Sequence, residues 1–237
     1  KVARAMVKLL KASGVSFAIM QEERCHGEFA RRMGEEYLFQ TAAQENLDNF
    51  AQYSFKRILT ACPHCFNTLA REYPAFEGFN YSVISHTVWL NEMIQSGKLP
   101  RPSATLGSTA YHDPCYLARM NGIVDAPRNV LKSVSGDLRL PAETGTRTFC
   151  CGAGGGQMWS EGNVAKTVNV IRLKDLRATG ASQVAVACPH CLTMLESAKS
   201  LDKSASETAI KDVAELVLEA LESQSLLNDK TEEVAHG

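Results

Sequence analysis

Apolar positions along the chain follow two patterns, which predict helices that alternate with short strands. Apolar residues three and four positions apart are typical of amphipathic helices, and short apolar runs between turn residues are typical of buried strands. The predicted strands are 15–20, 57–61, 81–85, 108–112, 137–140 and 183–187. The predicted helices are 2–13, 40–53, 64–73, 86–96, 125–134, 160–179 and 206–222. Strands that alternate with helices form mainly parallel sheets, so the pattern predicts an α/β fold.

The last predicted helix has both a start signal and an apolar face. Ser204, followed three positions later by Glu207, matches a capping box and places the start of the helix there. Its apolar stripe comprises Ile210, Val213, Val217 and Leu221. We interpret this stripe as core packing. Beyond it, the polar residues 223–237 are predicted to form a frayed tail.

A repeat divides the chain into two parts. Residues 58–69 (ILTACPHCFNTL) match residues 184–195 (VAVACPHCLTML), which places Cys62 and Cys188 at equivalent positions 126 residues apart. The same offset relates Cys25 to Cys151 and Cys65 to Cys191. Chance rarely preserves three such spacings. We therefore predict two tandem, pseudo-symmetric modules, each a small, mainly parallel sheet flanked by helices.

The boundary between the two modules is predicted in residues 97–108, which are rich in turn formers. We assign residues 1–100 to the first module and residues 101–222 to the second. Applied to Cys115, the offset of the repeat points to a position before Lys1. We therefore expect the first module to be incomplete at its N-terminus.

The modules also differ in their paired cysteines. The second module has Cys150 and Cys151 side by side before a glycine, whereas the first has Cys25 alone, followed by His26. Equal spacing aligns Cys25 with Cys151, but matching the CHG triplet to the CCG triplet aligns it with Cys150. The sequence leaves both alignments open.

Five cysteines of the second module are predicted to form one site. All of them follow predicted strands, and the loops past the carboxyl ends of parallel strands form the functional crevice of α/β sheets. Thiolates are soft ligands that select iron–sulfur clusters, zinc or copper(I). The five candidates are Cys115, Cys150, Cys151, Cys188 and Cys191.

The adjacent pair Cys150 and Cys151 constrains the type of site. Neighbouring side chains of an extended segment point to opposite sides, so the pair meets one compact cube only if the backbone is kinked. A larger or split iron–sulfur assembly, or two separate functions, suits the pair better. The glycine-rich run 152–156 lets the backbone approach closely, with amides able to donate hydrogen bonds to sulfur. A simple turn before a helix is the alternative interpretation of these glycines.

Composition and charge narrow the functional classes. The chain has 45% hydrophobic and 22% charged residues, as ordinary globular proteins do. Its net charge of −1 gives no reason to expect nucleic acid as a partner. We find no uncharged apolar run of about 18 residues that could span a bilayer. The clustering of the eight cysteines fits cytoplasmic metal or redox chemistry better than a secreted disulfide framework.

The spacing C-x34-CC-x36-CPHC, in which a glycine follows the cysteine pair, resembles the cysteine-rich CCG module of the B and D subunits of heterodisulfide reductase. Similar modules occur in iron–sulfur subunits of glycolate and lactate oxidases, of anaerobic glycerol-3-phosphate dehydrogenase and of oxidoreductases linked to electron-transfer flavoprotein. Residues 111–122 (YHDPCYLARMNG) and 24–40 (RCHGEFARRMGEEYLFQ) are most similar to the branch that holds the D subunit and the flavoprotein-linked enzymes. The resemblance covers about residues 1–222.

This resemblance implies an iron–sulfur electron-transfer component of an oxidoreductase. The five second-module cysteines match the ligands of a [4Fe-4S]-type cluster, which in heterodisulfide reductase is non-cubane. In the first module, Cys25, Cys62 and Cys65 match only part of the motif, so a second cluster there stays open. The implied reaction passes electrons from a flavoprotein or ferredoxin-type donor to a disulfide or quinone acceptor.

The resemblance also implies partners and a location. The expected partners are other redox subunits or domains, namely a ferredoxin-like iron–sulfur protein, a flavoprotein or a membrane subunit. The chain would then act in the cytoplasm, or at the inner face of the membrane through a partner or an upstream region.

Two other functions compete with the cluster. A structural zinc site usually joins two C-x2-C units some 15–20 residues apart and needs four ligands, whereas here the units are 126 residues apart and the motif has five cysteines. Thiol–disulfide exchange through the CPHC dithiols is the second alternative. Against it, each loop has an upstream partner cysteine at the same distance.

Histidines near the cysteines are the candidate catalytic residues. His64 and His190 lie inside the CPHC loops, where an imidazole could bind thiolates by hydrogen bonds, relay protons or only pack the start of a helix. His112, with Asp113, precedes Cys115 and is a candidate for proton delivery, although shaping the turn is the simpler role. Four arginines could bind an acidic substrate, but exposed arginines are common: Arg119, Arg128, Arg147 and Arg172.

Overall fold

A computed structural model describes residues 1–103, 106–159 and 163–227 of the chain, without the side chains of residues 163–167 and 203. Its helices are α1 Val2–Ala12, α2 Glu28–Arg32, α3 Glu36–Phe50, α4 Pro63–Asn67, α5 His86–Gln95, α6 Cys115–Ala118, α7 Asp125–Val134, α8 Asn163–Ala178, α9 Pro189–Leu201 and α10 Val213–Ser223. Its strands are β1 Arg57–Thr60, β2 Ser82–Ser85, β3 Thr109–Tyr111, β4 Leu138–Arg139, β5 Gln183–Val186 and β6 Ala209–Asp212. A π-helical turn, Thr68–Glu72, continues α4.

The strands form two parallel sheets, which confirms the predicted α/β fold. In the first half, β1 pairs with β2, with Arg57 opposite Ser82. In the second half, four strands lie in the order β4-β3-β5-β6. When 126 is added to its residue numbers, β1 coincides with β5, and β2 differs from β6 by one residue. The repeated halves thus contain the same pair of strands, and each CPHC loop follows the first strand of its pair.

One hydrophobic core joins the two halves of the sequence. Helix α1 packs against α10, and α10 also packs against α5 and α7. The fully buried members of this core come from both predicted modules and include Leu9, Leu90, Leu99, Tyr111, Leu131 and Val217. Two smaller clusters lie beneath the second-module cysteines and between α3 and the π-helical turn. The two modules therefore pack against each other through this shared core.

Two sequence predictions are wrong at the ends of the chain. Residues 15–20 form irregular backbone instead of a strand, and Ile19 is 67% exposed because nothing in the described chain pairs with this segment. The helix predicted at 206–222 starts later, since residues 209–212 form β6 beside β5. The capping box is made by Asp212 and Glu215, not by Ser204 and Glu207.

Other differences concern helices that the apolar pattern did not indicate. The pattern missed the short helices α2 and α6, and it missed α9 after the second CPHC loop. Helix α8 matches the prediction for 160–179, although residues 160–162 lie outside the described chain. Residues 228–237 of the predicted tail also lie outside the described chain. No helix in the described ranges has both the length and the apolar character needed to cross a bilayer.

Candidate metal centre

The two CPHC loops are built alike by a strand that turns directly into a helix. Cys62 and Cys188 occupy the N-cap positions of α4 and α9 with extended backbone, and a proline follows each as the first helical residue. Proline suits this position because its missing N–H has no helical partner there and its fixed φ is helical. The second cysteine of each loop lies in the first turn of the helix, so both thiols face the end of the sheet.

Residues of the two loops meet their own counterparts. The thiols of Cys62 and Cys188 interact, and this interaction lowers the pKa of Cys62. The rings of His64 and His190 lie 4.9 Å apart, centroid to centroid. A residue touches its own counterpart only at a two-fold axis, as in isologous interfaces. A pseudo-two-fold axis therefore passes between the loops and brings the cysteines of both modules into one place.

Seven of the eight thiols form a continuous chain of contacts across this axis. The order of the contacts is Cys115, Cys150, Cys151, Cys191, Cys188, Cys62 and Cys65. Cys151, Cys188 and Cys191 are buried, and none of the eight cysteines forms a disulfide. The structure thus brings the five second-module candidates together and adds Cys62 and Cys65 from the first module to the same group.

The adjacent Cys150 and Cys151 both face this group. Their thiols contact each other, while Cys150 also contacts Cys115 and Cys151 also contacts Cys191. Gly152 follows with a φ of 92°, a backbone conformation that glycine adopts at little cost. Its N–H donates a hydrogen bond to the Cys150 sulfur, at 3.2 Å. The glycine therefore turns the chain and supplies an amide to a sulfur.

The remaining thiol, Cys25, is exposed. The pKa of Cys65 is raised by its hydrogen bond with Cys62, by burial and by the negative charges of Cys62 and Cys25. Cys25 is thus near Cys65, as Cys151 is near Cys191.

The thiols shift one another's pKa values in the directions expected of a crowded, buried group. Hydrogen bonds with Cys151 and Cys188, together with burial, raise the pKa of Cys191 well above its usual value. Burial does the same for Cys188. Hydrogen bonds from Cys115 and Cys151 lower the pKa of Cys150 to about 2, and interactions with Cys188 and Cys65 lower that of Cys62, so these two thiols carry negative charge. Without a cation, most of the remaining group stays protonated.

His112 is buried behind the thiols. It follows β3, and its Nε2 atom lies 3.3 Å from the Cys191 sulfur. Its other ring nitrogen, Nδ1, accepts a hydrogen bond of 3.0 Å from Nε of the fully buried Arg172. Sequence reasoning named Arg172 only as a weak candidate for substrate binding. A buried arginine on α8 gives no signal in one sequence that would identify its partner.

Two other candidate residues act as supports for the loop before Cys150. Asp113 accepts hydrogen bonds from Arg128 at 2.9 Å, from Thr144 at 2.6 Å and from the Gly145 amide at 2.8 Å. Arg119 donates to the carbonyls of Thr146 and Thr148. These side chains are therefore occupied within the protein, and they fix the position of the loop that carries the cysteine pair.

Aromatic residues cover the CPHC loops on the side of α2. Phe29 packs edge-on against His190, at 5.2 Å, and against Trp159, at 4.4 Å. Trp159 is 63% exposed. Tyr116 stacks on His64 with ring centroids 4.0 Å apart. His190 is only half-buried and contacts Cys62, so it lies between the thiol group and the surface.

The donor set fits a soft metal centre. Thiolates favour iron–sulfur clusters and zinc over hard cations. A bound cation would favour the thiolate form of residues that burial now keeps protonated, and the Gly152 amide already points at a sulfur. His112, Cys151 and Cys191 offer three ligand atoms within 4.8 Å of one another. More than four thiols in one group exceed what a single zinc ion binds and match a cluster better.

Comparison with known proteins gives one family and several long relatives. The model of the cysteine-rich domain CCG matches residues 1–70 and 109–196. An EtfAB:quinone oxidoreductase of Syntrophomonas wolfei is 40% identical over 231 residues, which cover 94% of this chain and 32% of that protein. The probable iron–sulfur-binding oxidoreductase FadF of Bacillus subtilis is 39% identical, covering 93% of this chain and 32% of that protein.

A third relative belongs to methanogens. The D subunit of the dihydromethanophenazine:CoB–CoM heterodisulfide reductase of Methanosarcina barkeri is 32% identical over 228 residues, covering 93% of this chain and 55% of that protein. The chain thus spans about a third to a half of the length of these curated relatives.

Proposed function

Because this chain belongs to the cysteine-rich CCG domain family, we propose that it holds an iron–sulfur cluster and passes electrons within a larger oxidoreductase. The donor would be a flavoprotein or a ferredoxin-type protein, and the acceptor a disulfide or a quinone. The names of the relatives support both ends of this path, since they include a quinone oxidoreductase linked to EtfAB and a heterodisulfide reductase. When bound, the cluster would supply one-electron transfer.

The observation that carries this proposal is the continuous group of thiols around the pseudo-two-fold axis. We assign Cys115, Cys150, Cys151, Cys188 and Cys191 as ligands of a [4Fe-4S]-type cluster, and the meeting of so many sulfurs favours a non-cubane form. Cys62 contacts Cys188, so the first-module loop would border the same cluster. Cys25 and Cys65 would bind a second cluster only if further ligands come from outside this chain.

His190 is the better of the two candidate catalytic histidines. It is half-buried and contacts both Cys62 and the aromatic residues at the surface, so it could hold a proton between solvent and a bound acceptor. His112 is fully buried, and both of its ring nitrogens already have partners inside the protein. We therefore propose His190 for proton delivery and a supporting role for His112.

The test is iron and acid-labile sulfide per chain, with low-temperature electron paramagnetic resonance, on protein purified without oxygen. We expect Cys151→Ser to lose most of the iron, because its thiol lies in the middle of the group. Thr193→Ser is the matched control, since it lies on α9 beside the CPHC loop and its hydroxyl bonds only the Pro189 carbonyl. It should keep the iron content of the wild type.

A Cys25→Ser variant separates the two modules. If it retains the wild-type signal, the second module alone holds the cluster. If half of the iron is lost, the first module holds a cluster of its own. Zinc instead of iron, or metal-free protein whose CPHC dithiols reduce disulfides, would overturn the cluster proposal and favour the zinc or thiol-exchange alternative.

A further inference from the structure

Two hydrogen bonds define the state of His112. We infer that Arg172 holds His112 in the tautomer whose Nε2–H donates a hydrogen bond to the Cys191 thiolate. This inference rests on the proposed function. This hydrogen bond would raise the reduction potential of the cluster bound there. His112 and Arg172 are then positioning residues, and neither is a metal ligand.

The donor chemistry of arginine fixes the tautomer. The Arg172 Nε atom lies 3.0 Å from His112 Nδ1. A guanidinium has only donors, so Nδ1 must accept this hydrogen bond and carries no proton. A neutral imidazole has one proton, which must then lie on Nε2.

The protonated nitrogen faces sulfur. His112 Nε2 lies 3.3 Å from the Cys191 sulfur, within the distance of a hydrogen bond to sulfur. A ring nitrogen that carries a proton has no lone pair for a metal. His112 therefore donates to the cysteine ligand, although its ring nitrogen lies close enough to Cys151 and Cys191 to share an ion with them.

Arg172 is held so that it cannot turn away from His112. Its side chain is fully buried, and its other nitrogens donate to the Glu143 carbonyl at 3.1 Å and to the Thr148 hydroxyl at 3.5 Å. Both of these partners lie in the loop before Cys150. The same guanidinium thus links the cysteine pair to the imidazole that bonds Cys191.

The first module lacks this arrangement in the described chain. The position 126 residues before Arg172 is Asn46, on the equivalent helix α3. Asn46 is also buried, but its amide donates to the backbone carbonyls of Cys25, at 3.0 Å, and Ala42, at 2.8 Å. It therefore supports the Cys25 loop and positions no imidazole.

The expected effect on electron transfer follows from charge. Reduction adds negative charge to a cluster and its thiolates, and a hydrogen-bond donor stabilises that charge more in the reduced state. Hydrogen bonds to cluster sulfurs are therefore among the factors that set the potential. Losing the donor should make reduction less favourable.

The test is a redox titration of the full chain, followed by electron paramagnetic resonance. His112→Leu removes the donor, and we expect the equilibrium constant for one-electron reduction to fall at least tenfold, which lowers the potential by about 59 mV. His112→Gln can place an amide N–H near the position of Nε2 and should restore most of the wild-type value. Arg172→Met should lower the potential by an intermediate amount. Arg177→Gln, on the exposed side of the same helix, should leave it unchanged.

The outcomes separate this inference from the proposed function. An unchanged potential in His112→Leu with full iron content would overturn the inference and leave the cluster in place. Loss of iron in His112→Leu, with full iron in His112→Gln, would mean that the imidazole or its substitute binds metal. A wild-type chain without iron would instead remove the proposed function.

The tautomer can be measured independently of the cluster. Nitrogen-15 chemical shifts of the imidazoles in metal-free wild-type protein at neutral pH distinguish protonated from unprotonated ring nitrogens. We expect a protonated Nε2 and an unprotonated Nδ1 in His112. The opposite tautomer, or a doubly protonated ring, would overturn the inference even if no variant could be purified.

Discussion

His86 and Asp212 form a buried hydrogen bond in which Nε2 lies 3.2 Å from Oδ1, and the two residues are 126 positions apart in the sequence. This separation equals that of Cys62 and Cys188. Each residue of the pair stands at the end of the second strand of its module, where the next helix begins. The pseudo-two-fold axis therefore runs from the cysteine loops to this pair, and it joins the modules by a polar contact as well as by thiols.

Replacement of Asp212 should destabilise the protein strongly. Its carboxylate bonds His86 and also accepts the Ala214 amide as the N-cap of α10. We expect Asp212→Ala to lower the free energy of unfolding by about 3 kcal/mol, because a buried partner and a helix cap are lost together. Denaturant unfolding measures this change. Asp137→Ala, which breaks only the exposed ion pair with Arg139, should cost less than about 1 kcal/mol.

The position of the capping box gives a second prediction. Glu215 accepts a hydrogen bond from the Asp212 amide at 3.0 Å and so completes the box of α10. We expect Glu215→Ala to lower the free energy of unfolding by about 1 kcal/mol. Glu207→Ala is the matched control at the box that the sequence suggested, and it should stay within about 0.5 kcal/mol of wild type. Equal effects of the two substitutions would contradict the start of α10 at Val213.

The sequence predicted the parts of the site that depend on spacing. A preserved offset between the two CPHC loops indicates a repeat, and repeated strands and helices place equivalent loops at equivalent ends of a sheet. The contact between Cys62 and Cys188 follows if the repeats pack around a two-fold axis. The offset alone does not give this axis, because tandem modules could also have packed side by side.

The sequence did not predict features that depend on contacts between distant residues. Strand β6 is short and runs directly into α10, so Ile210 fits the helical stripe as well as the strand, and only pairing with β5 decides between them. Arg172 bonds His112 across 60 positions, and neither residue type indicates such a partner. The irregular segment at 15–20 has the apolar residues of a strand, but no strand among the described residues pairs with it.

The shared core makes α1 essential to the stability of both modules. Leu9 on α1 is fully buried, and α1 packs against α10 of the second half of the sequence. We expect Leu9→Ala to lower the free energy of unfolding by about 2–5 kcal/mol, as is usual for leucine in a core. Ile19→Ala removes an exposed side chain of similar size and should change it by less than about 0.5 kcal/mol. Thermal or denaturant unfolding of the two variants under the same conditions checks the difference.

Thiol reactivity should distinguish Cys25 from the buried cysteines. The thiolate is the reactive form, and the pKa of Cys188 and Cys191 is raised by burial and by neighbouring thiols, so both stay protonated near pH 8. Cys25 is exposed. In metal-free protein we expect iodoacetamide to modify Cys25 faster than Cys188 or Cys191 by about tenfold or more. Mass spectrometry of peptides after timed quenching gives the order, and alkylation after unfolding provides the reference rate for each peptide.

Glu28 provides a test of pH dependence beside the CPHC loop of the first module. Its carboxylate is 4% exposed and lies 3.3 Å from His64 Nδ1 and 3.7 Å from Arg32 Nε. Burial raises the pKa of Glu28, but His64, Tyr116 and Arg32 together lower it below its usual 4.5. Because the unfolded chain then binds a proton more readily than the folded protein, ionised Glu28 stabilises the fold above about pH 4.5, and this stability is lost as the pH falls.

We therefore expect Glu28→Gln to be less stable than wild type at pH 7, by about 1–3 kcal/mol, because Gln keeps the shape but loses the charge that faces Arg32 and His64. The difference in unfolding free energy between the variant and wild type should narrow as the pH falls below the usual pKa of a carboxylate, by at most about 1.4 kcal/mol per pH unit. Urea unfolding at several pH values measures it. Glu36→Gln, at an exposed residue of α3, is the control, and its free energy of unfolding should equal that of wild type at every pH. If the difference in unfolding free energy between Glu28→Gln and wild type stays constant with pH, packing rather than charge gives Glu28 its effect.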